Sequence, residues 1–182
     1  MTCVVGYKYA GKVWLAGDQV GGNNYFRENH TSLSKVFQVK DFILGYTTSF
    51  RMGQILQYSW NPPVKQEGQD DDTYLYRDVV NSLSALFDSS QYGSKEGVEK
   101  QTGTFLLGWK GRLFTVQSNL SILEHDQFAA CGCGEDFARG AMHIMSTLTE
   151  IWKRPEDFLE NAILAASRYS PSVGNTVTFV EK

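Results

Sequence analysis

Long apolar runs are missing from this 182-residue chain. None approaches the roughly 20 residues that a membrane-spanning helix needs, so no membrane partner is expected. The opening MTCVVGYKYAGKVWLAGD has no basic lead and no unbroken apolar stretch; it alternates, unlike a signal peptide. Cysteine is scarce. Three residues, an odd number with no Cys-x-x-Cys pair, exclude a disulfide framework and a thiolate metal site. His30, His125 and His143 are scattered without metal-ligand spacing, so no metal and no cofactor is expected. Excess charge of one sign is also absent. With 17 Lys and Arg against 20 Asp and Glu, the net charge of −3 provides no electrostatic footprint for nucleic acid. Together these absences predict a cytoplasmic protein, in which Asn29-His30-Thr31 and Asn119-Leu120-Ser121 match the glycosylation pattern by chance.

What is present suits one domain over residues 1–182. Hydrophobic residues make up 42% and charged residues 20%, enough apolar material for a sizeable core. The first 18 residues read as a hairpin of β-branched and aromatic strand formers turning at Ala10-Gly11-Lys12. Residues 19–34 show no periodicity and are expected to be an irregular loop. A second hairpin spans Lys35–Val39 and Phe42–Tyr46. Ser49 is a suitable N-cap for a helix that stops at Asn61-Pro62-Pro63. Leu75, Val79, Leu83, Leu86 and Phe87 stripe a second helix from Asp72 to about Ser89. Residues 64–71 and 90–102 read as polar loops. Strands follow at 104–109, 112–117, 122–123 and 128–131. A third helix runs over Glu135–Leu148 with Phe137, Ala138, Ala141, Met142 and Met145 inward. A fourth runs from Pro155 to about Ser167, and a last strand covers Thr176–Val180. Hairpin-linked strands alternating with helix pairs predict an α+β fold, a four-layer α/β/β/α sandwich of two antiparallel sheets.

Three residues near the N-terminus combine into chemistry. Removal of Met1 before a small residue leaves Thr2 with a free α-amine, whose ordinary pKa near 8 suits a general base for the neighbouring hydroxyl. Asp18 ends the strand that pairs with Thr2's strand. Lys35 opens the next strand, and its positive field beside the nucleophile would favour the alkoxide. Singly, each residue has an ordinary structural explanation: a second residue, a turn carboxylate and a strand-edge lysine.

Their order and spacing resemble the proteasome β-subunits and the related bacterial peptidase HslV. In that family a mature N-terminal threonine leads a hairpin that ends in an aspartate sixteen residues later, the interval between Thr2 and Asp18 here. Val13-Trp14-Leu15-Ala16-Gly17-Asp18 is similar to the family's second strand. Lys35-Val36-Phe37 matches its lysine and following apolar pair, after a loop one residue longer. Gly103-Thr104 through Gly108-Trp109, and Gly132-Cys133-Gly134 before Phe137-Ala138-Arg139-Gly140-Ala141, continue the likeness. It covers residues 2 to about 180 and looks closest to the small bacterial and phage-encoded members.

The resemblance implies a threonine-type N-terminal-nucleophile (Ntn) hydrolase acting on peptide or protein substrates. It further implies a homo-oligomeric ring and an unfoldase ATPase partner. Its catalytic positions map to Thr2, Asp18, Lys35, Cys133 and Ser172, and the oxyanion and substrate groove to Thr47, Thr48 and Ser49, with the Ser49 N–H as backbone donor. The sequence departs at Cys133, where the family has a serine, at the bulky Phe50 and Arg51, and near Tyr169, where no acidic residue matches the family's aspartate. An N-terminal cysteine enzyme would instead use Cys3 after cleavage behind Thr2. The alternative of a different class is a non-catalytic structural or assembly subunit.

Overall fold

The protein is described as a computed structural model for residues 2–22, 27–29, 34–96, 99–148 and 154–182. Met1, His30 and Thr31 lie outside these residues.

Among the described residues thirteen strands and four helices follow in chain order. The first hairpin is β1 (Cys3–Tyr9) and β2 (Lys12–Asp18), turning at Ala10 and Gly11, both with positive φ. Residues expected as irregular loop contain a short hairpin, β3 (Val20–Gly22) with β4 (Arg27–Asn29). It is too short and too polar to show periodicity. The second long hairpin is β5 (Val36–Val39) with β6 (Phe42–Tyr46).

Helix α1 (Phe50–Ser59) starts at Ser49, whose hydroxyl accepts the Met52 N–H at 3.2 Å. Helix α2 joins Asp71–Thr73, a π-helical turn Tyr74–Val79 and Val80–Ser89. Its fully buried stripe, Leu75, Val79, Leu83 and Phe87, steps by four residues. In a plain α-helix each such step would overshoot a 3.6-residue turn by roughly 40°. The wider π-turn takes up that drift over the first step, Leu75 to Val79, before the stripe continues along the α-helical part.

The polar stretch after α2 holds another unforeseen hairpin, β7 (Ser94–Glu96) and β8 (Glu99–Gln101). Then come β9 (Phe105–Trp109), β10 (Arg112–Val116), β11 (Ile122–His125), β12 (Phe128–Gly132), α3 (Glu135–Thr147), α4 (Pro155–Tyr169) and β13 (Val177–Glu181).

The long strands form two antiparallel sheets, ordered β12-β1-β2-β13 and β11-β10-β9-β6-β5. The chain passes from one sheet to the other between His125 and Phe128, so consecutive strands β11 and β12 never pair. Alternation along each strand splits the interior into three apolar layers. Val4, Leu15, Val36, Ile43, Leu106 and Leu113 pack between the sheets. Cys3, Val5 and Ala16 face α3 and α4 through Met142, Phe158 and Ile163. Phe42, Leu44, Phe105 and Leu107 face α1 and α2. The expected α/β/β/α sandwich is therefore the fold. The sheets approach closely at Gly45, where a Cβ would lie 2.4 Å from Val4 Cγ1.

One inward assignment is corrected. Phe137 is 44% exposed and stacks on Tyr169 at the outer surface, with ring centroids 5.8 Å apart. Helix α3 buries Ala138, Met142 and Met145, a stripe one step round the helix from Phe137. Ala141 is half-buried at the margin.

Candidate active site

Strand ends build the site. β1 begins just after Thr2, β2 ends at Asp18, β5 begins just after Lys35, and β6 ends at Tyr46 before Thr47. All of these ends fall on one edge of the stacked sheets, so a few backbone positions converge there.

Asp18 is completely buried. One carboxylate oxygen accepts the Cys3 N–H at 2.8 Å and the Lys35 ammonium at 2.9 Å. The other accepts the Val20 N–H at 3.1 Å and the Gly174 N–H at 2.9 Å. Four donors compensate the carboxylate's loss of water. Lys35 is 1% exposed and also donates to the Val20 carbonyl at 2.5 Å. Burial lowers the pKa of its ammonium below the ordinary lysine value, and the Asp18 charge opposes that fall.

Thr2 is 6% exposed and borders two cavities. The inner one, about 70 Å³, is lined by Lys35, Tyr46, Thr47, Thr48, Ser49 and Phe50 as well as Gly21. The outer one, about 430 Å³, is lined by Thr47, Thr48, Thr104, Gly132, Cys133 and Glu135. Gly132 adopts φ +98°, and a Cβ there would lie 2.5 Å from the Thr2 carbonyl oxygen. This position accepts glycine alone for two independent reasons, backbone conformation and contact. The Gly134 N–H donates to the same carbonyl at 3.4 Å.

The structure thus gathers Thr2, Asp18, Lys35, Cys133, Thr47, Thr48 and Ser49 at one edge. Ser172 does not line either cavity; it is half-buried in the turn after α4. The neighbouring Gly174 makes the contact to the site, through its N–H. A backbone amide leaves no signature in side-chain identity, which is why sequence reasoning missed it. The segment 47–49 also departs from expectation. The Ser49 N–H, the anticipated oxyanion donor, is engaged by the Thr47 carbonyl at 2.8 Å. This three-residue turn places the β-branched Thr48 at φ +68°, a strained region for such a side chain. The Ser49 hydroxyl is spent on the α1 cap and on the Tyr92 hydroxyl, 2.8 Å away.

Among the cysteines, Cys3 and Cys131 are buried and Cys133 is exposed. Burial, reinforced by the Asp18 charge, pushes the Cys3 thiol up to about 12, which makes it a poor nucleophile.

A larger cavity, about 730 Å³, lies elsewhere, among the hairpin tips at Gly11, Asp41 and Gly111. Its lysines are engaged by protein acceptors, Lys40 by Asn61 and Lys110 by Asp71. It lacks a candidate nucleophile beside a buried ion pair, so the candidate site is placed at the Thr2 edge. Among the described residues no group of His, Cys, Asp and Glu is arranged to hold a metal ion, and no helix is long and apolar enough to cross a membrane.

No family model and no curated protein matches the chain in sequence. Solved structures match it in three dimensions. BPH of Thiobacillus denitrificans, solved in complex with epoxomicin, superposes with a TM-score of 0.82 at 19% identity, covering 99% of this chain and 97% of that one. HslV from Trypanosoma brucei gives 0.68 at 12% identity, covering 98% of each chain. An Anbu mutant from Hyphomicrobium sp. strain MC1 gives 0.68 at 15% identity, covering all of this chain and 82% of that one. The chain therefore has the proteasome-like Ntn-hydrolase fold that it shares with BPH, HslV and Anbu.

Proposed function

We propose that this protein is a threonine-type Ntn hydrolase that cleaves peptide or amide bonds with Thr2 after removal of Met1. The carrying observation is the Lys35–Asp18 pair, 1% and 0% exposed, with Lys35 lining the same small cavity as Thr2. Burying two charges is costly and rarely the most stabilising use of core volume. A position beside a hydroxyl nucleophile gives the pair a purpose. In this reading the Thr2 α-amine takes the hydroxyl proton as Oγ attacks the carbonyl carbon. The leaving amine then receives that proton, and water releases the acyl group from the resulting ester. Lys35 lowers the cost of charge on Oγ, and Asp18 orients Lys35. The Ser49 N–H would stabilise the oxyanion once the turn at Thr48 opens. Peptide substrates, a ring of identical subunits and an unfoldase partner follow from the same family resemblance.

A second reading, a non-catalytic assembly subunit, is favoured by one observation: the Ser49 N–H is already engaged by Thr47. Intact-mass spectrometry with and without epoxomicin separates the two. Loss of one methionine and one adduct mapped to Thr2 is expected for the hydrolase. Retained Met1 with no adduct would leave the assembly subunit as the better account.

A further inference from the structure

The inner cavity contains a polar group that the mechanism above does not use. Tyr46 is 5% exposed, and its ring lies flat on α1 because residue 53 is glycine; a Cβ there would sit 2.4 Å from ring atoms Cε1 and Cζ. The ring is thereby held in one place. The Tyr46 hydroxyl makes no hydrogen bond to the described residues. Trp14 Nε1 is the one fully enclosed side-chain N or O atom there that lacks a partner, so the Tyr46 hydroxyl must open onto cavity space. The polar side chains around it are occupied. Lys35 is held by Asp18 and Val20, Thr47 by the Thr104 carbonyl, and Ser49 by Tyr92. Burial, with the Asp18 charge second, pushes the phenol up to about 12. It therefore stays protonated at neutral pH and keeps a proton to donate.

The cavity's size sets what can receive that proton. It is the smaller of the two cavities that Thr2 borders, about 70 Å³ against about 430 Å³. The tighter space favours a hydroxymethyl group over a leucine or phenylalanine side chain. A donor that faces the cavity discriminates among guests, because one that displaces solvent from it without offering an acceptor leaves it unpaired.

We propose that Tyr46 is a specificity-determining residue, donating a hydrogen bond to a small hydroxyl side chain, serine or threonine, on the substrate residue whose carbonyl faces Thr2. This inference rests on the reading of Thr2 as the attacking group, which defines the residue that enters the cavity.

The test uses the full chain and its Tyr46→Phe variant, which keeps the ring on Gly53 and removes only the hydroxyl. Matching thermal unfolding of the two proteins establishes that the variant is folded. Fluorogenic tetrapeptides ending in Ser, Thr, Ala, Leu or Phe are assayed for hydrolysis. The corresponding peptide acids are titrated by calorimetry. The expected result is a preference for Ser over Ala of about tenfold, weaker turnover of Leu and Phe, and a ratio of Ser to Ala turnover that falls to about one in Tyr46→Phe. Hydrolysis that favours Leu or Phe, or a Ser preference that survives in Tyr46→Phe, overturns the inference and leaves the Thr2 reading standing. Binding in the expected order without hydrolysis supports the pocket and counts against the nucleophile. Neither binding nor hydrolysis of any peptide overturns both.

Discussion

Replacing Lys35 by methionine tests the site's electrostatics without opening a large hole. The methionine side chain keeps most of the buried stem and removes the ammonium that lies 2.9 Å from Asp18. Breaking a buried ion pair by removing one partner costs about 3–5 kcal/mol. Asp18 retains the N–H donors of Cys3, Val20 and Gly174, which places the expected loss at the lower end, about 3 kcal/mol. For a chain of this length that corresponds to a fall in Tm of roughly 6–12 °C. Urea unfolding of Lys35→Met, Asp18→Asn and the double variant measures it. The double variant should lose less than the sum of the single ones, with a coupling of about 1–3 kcal/mol, because it strands neither charge. Additive losses, or a Lys35→Met protein within about 1 kcal/mol of the wild type, would refute the buried-pair account. Lys35→Met should also abolish hydrolysis and epoxomicin adduct formation while remaining folded; an active variant would remove Lys35 from the chemistry.

Other perturbations test neighbouring features. Gly132→Ala should destabilise the protein by about 1–3 kcal/mol and prevent adduct formation at Thr2, because its Cβ displaces the Thr2 carbonyl; chemical denaturation and intact mass report both. Thr48→Asn should stabilise by about 0.5–1 kcal/mol, since asparagine tolerates the left-handed conformation that threonine resists. A native-state thiol titration should count one reactive cysteine, Cys133, and three after denaturation. The pH dependence follows from Lys35, whose pKa is lowered by burial. Between that lowered value and 10.5 the unfolded chain holds a proton that the folded chain has released, so unfolding free energy rises with pH across this window. The slope should vanish in Lys35→Met, and the alkaline limb of the rate profile should lie below pH 10.5.

Much of this molecule was legible in one dimension. Near-continuous runs of strand-forming apolar residues in 3–18 and 36–46 report strands with two buried faces, and the apolar stripes of α2, α3 and α4 report helices lying against those faces. Local geometry writes such signals directly into residue order. The spacing of Thr2, Asp18 and Lys35 was equally visible, because two hairpins of fixed length carry them to a common edge. The short hairpins at 20–29 and 94–101 were not visible, since three-residue strands with polar sides have no period to detect. Phe137 misled because its place on α3 depends on which stripe meets α4. The pairing of β12 with β1 instead of β11, the Gly174 N–H on Asp18 and the open hydroxyl of Tyr46 belong to tertiary structure alone. Each depends on where a backbone group or side chain meets a distant segment. Residue order determined the layers and the candidate nucleophile with its ion pair. Packing decided which donors remain available to a substrate.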